Sequence, residues 1–517
     1  MAHLTDRMGF IRTATIQGVD ALPVTVEVSI GTGLPGISIV GMPDLAVQEA
    51  RLRVRLALIA AGFEVPNRHI VVNLAPSSLK KIGSGFDLPI ALGILVATGQ
   101  IPRELVSECV CVGELSLDGS VREVKGLLAY ERHAHESKRS LLTASVERGV
   151  YREDQQEHLC IANLADLHDV LFSLPRARNA APISSEHDFS DIAGNDVAKR
   201  ALQIAAAGLH GILLVGPPGS GKSMMAARLP SILPPLDENE RIASAMIHSV
   251  AGLPFDSILA GYQPFRAPHH SASQAGLMGG GSPASPGEVS LAHNGVLFLD
   301  EMPEFGNAAL QMLRQPIETG IVSLARARGT YVFPARFLLI AAANPCPCGY
   351  FGDTQRSCRC TPAQITNYHS RIGGPLMDRF DLIVKVWRSD PKQVLRTGQG
   401  TSSASLREGV LQARAFRAMR EQASRMSVGL DMSKLEPFSL PQSRTGKGAQ
   451  LIASCCLSNK ELLYLEDIAR YYCLSGRGIM RALAVSRTIA DIEQREAVSS
   501  EHLLEAVTFR ADSEEEL

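Results

Sequence analysis

The sequence predicts an α/β protein in three parts: an N-terminal α/β domain, a central parallel sheet with helices on both faces, and a mainly helical C-terminal region. Three observations carry this expectation. Strand-like runs punctuated by Gly and Pro fill the first stretch of the chain. The apolar run Ile212–Val215 enters a Gly-rich loop and then a helical pattern, the strand–loop–helix order of a parallel sheet. Beyond the second Gly/Ser/Thr-rich stretch the chain carries helical periodicity instead. A length of 517 residues agrees with about three domains at roughly 150 residues each.

In residues 1–174, Thr13-Ala-Thr-Ile-Gln, Val24-Thr-Val-Glu-Val and Ile37-Ser-Ile-Val have strand composition. Gln48–Ala61 has helical spacing and stops at Gly62, a C-cap residue. His69-Ile-Val-Val-Asn reads as a short buried strand and Asp87–Ala97 as an apolar helix. Residues 175–187 turn polar and irregular, as a linker does. The central domain spans 188–390, and the Gly/Ser/Thr-rich Thr397–Ser405 begins the connection to a tail over 391–517. There Leu411–Arg425, Lys460–Tyr472, Gly478–Glu493 and Ser500–Arg510 are the expected helices, and the acidic end is expected to fray. No internal repeat of solenoid length is visible.

Hydrophobic residues make up 45% and charged residues 20%, which excludes a disordered chain, a collagen-like fibre and a disulfide scaffold. With 51 Lys and Arg against 53 Asp and Glu, the net charge of −2 gives no bulk footprint for nucleic acid, so a nucleic-acid partner must meet a local patch. The first residues lack the basic-then-apolar order of a signal peptide, and the strongest apolar run, Ile90–Ala97, falls far short of the roughly 18 residues that span a bilayer. The expectation is a cytoplasmic protein with no membrane partner, whose ten cysteines stay reduced.

Chemistry enters at Gly216-Pro217-Pro218-Gly219-Ser220-Gly221-Lys222-Ser223, which fits G-x-x-x-x-G-K-[ST] between a strand and a helix. Glycines let consecutive N–H groups curl around phosphate oxygens, Lys222 would reach the β- and γ-phosphates, and Ser223 would ligate Mg2+. Gly295-Val-Leu-Phe-Leu then ends in Asp300 and Glu301. Asp300 is placed to hold magnesium through water and Glu301 to orient or deprotonate the attacking water. Phe337–Asn344 is a further apolar strand whose terminal amide could contact that water or the γ-phosphate. Loop and acids together predict an ATP-hydrolysing module that uses ATP and Mg2+.

The order of these motifs, followed by Met377-Asp-Arg-Phe-Asp-Leu and Leu474-Ser-Gly-Arg-Gly, resembles the AAA+ ATPases, and within them the helix-2-insert group of magnesium-chelatase motors and minichromosome-maintenance helicases. Asp188-Phe-Ser-Asp-Ile-Ala-Gly-Asn, Gly279-Gly-Gly-Ser-Pro, Pro286-Gly-Glu-Val-Ser-Leu-Ala-His-Asn-Gly, Asn344-Pro-Cys-Pro-Cys-Gly-Tyr, Gly374-Pro-Leu-Met-Asp-Arg and Ser486-Arg-Thr-Ile-Ala-Asp are similar to the bacterial ComM/YifB family. The likeness covers essentially the whole chain, including Gly83-Ser-Gly-Phe-Asp-Leu-Pro-Ile-Ala-Leu-Gly. It implies a Lon-protease-domain-like N-terminal domain, an AAA+ P-loop core and a C-terminal helical lid. It further implies sensor 1 at Asn344, an arginine finger at Arg379 and sensor 2 at Arg477, with Arg481 as the alternative. A finger that acts on a neighbour's ATP requires a homo-oligomer, and the family makes a hexameric ring the expected form. Asn195 stands where Gln is usual and Ser223 where Thr is commoner, both mild changes.

Cys346, Cys348, Cys358 and Cys360 form two close pairs in a Gly/Pro-rich loop. Soft thiolates so arranged suit a structural Zn2+, although zinc pairs are more often C-x₂₋₄-C; an inert or redox-active loop is the alternative. DNA contact is expected at Arg326 and Arg328, on a hairpin before sensor 1, and at Phe265 and Arg266 in the segment that runs on to His269 and His270; a solvated loop is the other reading of each. In the N-terminal domain, Gly85 stands at the nucleophile position of Lon-type proteases, with Ser84 shifted by one and Lys125 about one helical turn early, so no peptidase dyad is expected.

The functional expectation is a ring-forming, ATP-driven DNA motor for branch migration during natural transformation, as the family resemblance implies. A magnesium-chelatase-like motor that remodels a protein partner is the alternative, and an ATP-dependent protease is third.

Overall fold

The computed structural model describes residues 8–145, 147–148, 158–173, 176–177, 188–326, 329–353, 355–372, 376–389, 392, 400–428 and 448–514. Two mixed α/β units occupy most of them. The first holds a seven-stranded sheet in the order His158–Ile161, Ser140–Ala144, Cys109–Cys111, Met8–Gln17, Asp20–Gly31, His69–Ala75, Gly36–Val40. Its first three strands run parallel to Met8–Gln17, and the Met8–Gln17/Asp20–Gly31/His69–Ala75 meander is antiparallel. Helix Asp87–Thr98 is apolar on every side and accordingly buried, and it crosses the sheet so closely that a Cβ on Gly9 would lie 2.2 Å from the Gly93 carbonyl oxygen. Helix Leu45–Ala60 starts three residues before its expected N-terminus because Asp44 accepts from the Val47 N–H at 2.9 Å.

The second unit is the parallel sheet Phe265–Arg266, Val296–Leu299, Leu338–Ala343, Ile212–Val215, Leu382–Lys385. Its central strands are apolar along their whole length because helices cover both faces, and every residue of Leu338–Ala343 is buried. The phosphate-loop strand and the two strands ending in Asp300 and Asn344 therefore finish along one carboxyl-terminal edge. Between the loop helix Lys222–Arg228 and the strand Val296–Leu299 lies an insertion containing helices Glu238–Ala251, Asp256–Leu259, Gln274–Met278 and Glu288–Leu291.

Five C-terminal helices are present among the described residues: Ser403–Val428, Gly448–Cys455, Asn459–Tyr471, Gly476–Ile492 and Ser500–Glu514. The first of them begins inside the stretch expected as a connector. Ser403 N–H donates to both carboxylate oxygens of Asp188 at 3.2 and 3.1 Å, which anchors the helix start to the beginning of the second unit. The two units touch through Leu128 and Ala129, packed with Leu236, Ala245, Met246, Phe255 and Ile258, and through the Gly126 N–H, which donates to the Ser249 carbonyl at 2.8 Å. No helix among the described residues is long and apolar enough to cross a membrane. The connector expected at 175–187 lies outside the described residues apart from Arg176–Ala177.

Candidate active site

The Gly216–Ser223 loop leaves its strand with Gly216 N–H bound to the Ala343 carbonyl at 3.2 Å, and Gly216 passes so near the adjoining strand end that a Cβ would meet the Val386 oxygen at 2.1 Å. Gly219 and Gly221 hold φ of +77° and +90°, which lets the loop turn, and the exposed Gly219 has nothing within 4 Å of its Cβ position. Lys222 Nζ rests on the Gly216 and Pro217 carbonyls at 2.7 and 3.0 Å and on Asn344 Oδ1 at 3.2 Å. Burial holds this amine down to about 8, against the pull of Asp300 and Glu301. Ser220 Oγ is buried without a hydrogen-bond partner. An orphan hydroxyl and a desolvated amine beside an open cradle fit a phosphate chain, whose oxygens would complete both.

Ser223 Oγ donates to Asp300 Oδ2 at 2.7 Å, so the hydroxyl and carboxylate expected to share a magnesium ion already face each other. Glu301 follows with φ +49°, a left-handed turn that swings its half-exposed carboxylate out of the strand line and to 3.8 Å from His270 Nδ1. His270 thus faces the candidate general base, and packs at a tilt against His269 with ring centroids 4.1 Å apart. Lys222, Ser223, Asp300 and Asn344 form one hydrogen-bonded constellation with Glu301 at its rim.

Arg379, Arg477 and Arg481 lie elsewhere. Arg379 is buried and paired with Glu318, a partner that no sequence signal indicated. Arg477 approaches Asp378 at 3.7 Å, and Arg481 approaches Asp378 and Asp381 at 3.9 and 3.7 Å. Asp381 also takes His210 Nδ1 at 3.0 Å, whose Nε2 reaches Thr488 Oγ1 at 2.7 Å. Both sensor-2 candidates therefore share one polar cluster where helix Gly476–Ile492 meets Asp378 and Asp381, while the neighbouring Arg379 turns to Glu318.

The four cysteines converge: their sulfurs all lie within 4.8 Å of one another, with Cys346, Cys348 and Cys358 at 3.4, 3.7 and 3.6 Å. A tetrahedral zinc with Zn–S of about 2.3 Å separates its sulfurs by about 3.8 Å, so the cluster is compatible with a structural zinc site. Burial pushes the Cys346 thiol up, whereas backbone N–H groups of Arg359 and Tyr350 outweigh desolvation at Cys348 and bring it down. Tyr368, another residue the motifs did not indicate, stands beside Asn344 with its phenol pushed up to about 12 by burial.

The expected DNA contacts divide. Phe265 and Arg266 form the outer strand of the parallel sheet and stay partly exposed; Phe265 stacks on Phe298 with centroids 6.2 Å apart, and Arg266 is bidentate to Glu288 at 2.6 and 2.7 Å. Both side chains are used in packing. The hairpin Ile321–Arg326/Gly329–Pro334 exists with Arg326 opposite Gly329, and Arg326 is exposed at its tip; Arg328 lies outside the described residues. In the first unit Ser84 Oγ donates to Glu114, and the Lys125 stem covers Gly252 of the second unit, where a Cβ would lie 2.9 Å from Lys125 Cε. Ser84 is thus paired with an acid and Lys125 is spent on packing.

Comparison with known proteins agrees along the whole chain. Residues 188–394 match the family model described as magnesium chelatase, subunit ChlI; residues 26–146 match subunit ChlI of Mg-chelatase, and 400–510 its C-terminal model. An uncharacterized protein YifB of Escherichia coli is 39% identical over 98% of this chain and 97% of its own length. The competence protein ComM of Haemophilus influenzae is 39% identical over the same shares. A magnesium-chelatase 67 kDa subunit of Chlorobaculum parvum is 29% identical over 30% of this chain and 23% of its own.

Proposed function

Because this chain belongs to the ComM/YifB family of magnesium-chelatase-like proteins, a group related to AAA+ ATPases, we propose that it is a ring-forming, ATP-hydrolysing DNA motor that drives branch migration or unwinding in recombination during natural transformation. The observation that carries the reading is the convergence of Lys222, Ser223, Asp300 and Asn344 around an open phosphate cradle. On nucleotide binding, the Lys222 amine exchanges the Gly216 and Pro217 carbonyls for β- and γ-phosphate oxygens. Ser223 and Asp300 hold Mg2+, which supplies charge neutralisation at the phosphates. Asn344 orients the attacking water, and Glu301, free to turn at the rim, takes its proton. Arg379 exchanges Glu318 for the phosphates of a neighbouring subunit, and Arg477 or Arg481 acts as sensor 2 beside it; this arrangement calls for a closed ring, with six subunits the natural number for the family.

In this reading residues 1–174 are a Lon-protease-domain-like platform, 175–187 a linker, 188–390 the AAA+ core and 391–517 a helical lid and tail. The cysteines hold a structural Zn2+, and Arg326 with Arg328 meets DNA phosphates at the ring pore. The protein works in the cytoplasm. The decisive experiment measures ATP hydrolysis with and without single-stranded and branched DNA, then branch migration by wild type and Glu301→Gln. Stimulation by branched DNA, with migration lost in the variant, is expected; hydrolysis indifferent to DNA at moderate salt would sink the DNA reading. The match to the magnesium-chelatase 67 kDa subunit favours one alternative, a motor that remodels a protein partner, and that outcome would select it.

A further inference from the structure

The cysteine cluster does not stand apart from the phosphate loop. After Cys348 the chain turns at Gly349, whose N–H donates to the Cys346 carbonyl at 2.9 Å and whose φ is +82°. The turn lies on the phosphate loop itself: a Cβ on Gly349 would sit 2.6 Å from Pro218 Cδ. The next residue, Tyr350, has the Arg388 guanidinium 5.5 Å from its ring centroid. That guanidinium donates from Nε and Nη2 to the Pro218 carbonyl at 3.3 and 3.2 Å and faces Asp353 at 3.7 Å. Arg388 reaches this position because Val386, just beyond the strand Leu382–Lys385, pairs back to the Val215 carbonyl at 2.8 Å immediately before the loop.

Each partner is fixed from its own side. Asp353 is almost wholly buried and accepts from the Gln355 and Arg356 N–H groups at 2.7 and 3.3 Å, which ties it into the cysteine loop. Arg356 donates to the Tyr350 hydroxyl at 3.0 Å with its guanidinium 5.4 Å from the ring. One planar side chain thus meets three partners at once: a loop carbonyl through two hydrogen bonds, the face of the Tyr350 ring, and the Asp353 carboxylate. A lysine ammonium has neither the fork nor the plane to do this. Because phosphate binding needs the N–H groups of residues 219–223 held in place, a fastening at Pro218 acts on affinity before it acts on the chemical step.

We infer that Arg388 is a positioning residue for the nucleotide site, fastening the four-cysteine loop to Pro218 so that the metal state of the cysteines sets nucleotide affinity. This rests on reading the cradle as an ATP site and the cysteines as a zinc site, and the test separates the three ideas. Full-length wild type, Arg388→Ala, Arg388→Lys and Tyr350→Leu are assayed for zinc content, KM and kcat with Mg·ATP, before and after zinc removal by a strong chelator; Lys222→Ala is the control. Arg388→Ala should keep its zinc, raise KM about tenfold and change kcat less than about twofold, a split that a general loss of folding does not produce. Arg388→Lys should recover part of the KM, and Tyr350→Leu should raise it about threefold, which carries the test if Arg388→Ala is insoluble. Zinc removal should raise KM in wild type and add less in Arg388→Ala, where only the Gly349–Pro218 contact is left to loosen. An unchanged KM in zinc-loaded, active Arg388→Ala overturns the inference, as does zinc removal that raises KM equally in both proteins. Wild type no more active than Lys222→Ala, or purified without zinc, would fell the ATP or the zinc reading and this inference with it.

Discussion

Two glycine-rich loops open helices in this molecule, and only one of them has its helix start occupied by a carboxylate of its own helix. Gly83-Ser84-Gly85-Phe86 leads into Asp87–Thr98, and Gly216–Gly221 leads into Lys222–Arg228. At the first, the chain fills its own helix start. The Asp87 carboxylate, fully buried, takes Arg53 Nε and Nη2 at 2.8 and 3.0 Å and the Leu115 N–H at 3.3 Å, while a Cβ on Gly85 would meet Val112 at 3.0 Å. At the second, the helix carries no carboxylate, and the nearest charge is the Lys222 amine lying over loop carbonyls; Gly83 and Gly219 alike have open space where a Cβ would stand. Glycine spacing makes a loop that can bend; the ligand site comes from what the bend leaves unfilled.

The largest expected difference between the loops is catalytic. Glu301→Gln should lower ATP turnover at least about a hundredfold while leaving nucleotide binding intact, since the amide keeps the shape and loses the base. Ser84→Ala should leave turnover unchanged. Steady-state hydrolysis together with binding of a fluorescent ATP analogue checks both, and an equal loss in Ser84→Ala would erase the contrast. Next in size, Asp87→Ala takes from the mostly buried Arg53 its bidentate partner, leaving it the Ala46 carbonyl and Glu49, and should cost about 3 kcal/mol of stability by chemical denaturation, with KM for ATP unmoved.

The same contrast explains what could be read from the sequence. The phosphate loop, Asp300–Glu301 and Asn344 are legible because each is a short apolar strand followed directly by its functional residue, so local order nearly equals spatial order. The sheet-edge place of Phe265 and Arg266 was not legible, because an aromatic–basic pair reads alike in a pore loop and at a sheet edge; it exists only through the parallel pairing to Val296–Leu297 and the distant Glu288. The strands Cys109–Cys111, Ser140–Ala144 and His158–Ile161 are short and carry no alternation, so they escape a pattern search. Glu318, Tyr368 and Arg388 belong to no motif at all, and their places are set through contacts with Arg379, Asn344 and Pro218, from 24 to 170 residues away in the chain.

A finer test substitutes one glycine in each loop. Gly85→Ala pushes a methyl against Val112, and Gly219→Ala has space but holds φ at +77°; each should cost about 1 kcal/mol in a denaturant midpoint. Only Gly219→Ala should also raise KM for ATP. Equal KM changes would mean that the two loops communicate through the domain contact at Gly126–Ser249.

The smallest effect is a pH dependence that belongs to the second loop alone. Burial lowers Lys222 from 10.5 to about 8 in the nucleotide-free protein, with Asp300 and Glu301 opposing the fall. Below about pH 8 the amine is charged whether or not phosphate is present, so affinity should be flat there. Above it the free site has shed the proton that the phosphates require, binding takes the proton back up, and affinity should fall by up to about tenfold per pH unit. The unfolded chain keeps that proton until about 10.4, so the same group makes stability rise with pH between about 8 and that value, opposite in sign to the binding. Lys222→Arg, which cannot lose its charge, should bind ATP more weakly and show no such fall. Equilibrium binding of the ATP analogue at pH 7, 8 and 9 decides the matter: wild-type affinity that stays level to pH 9 would show that the two acids, not burial, govern the lysine.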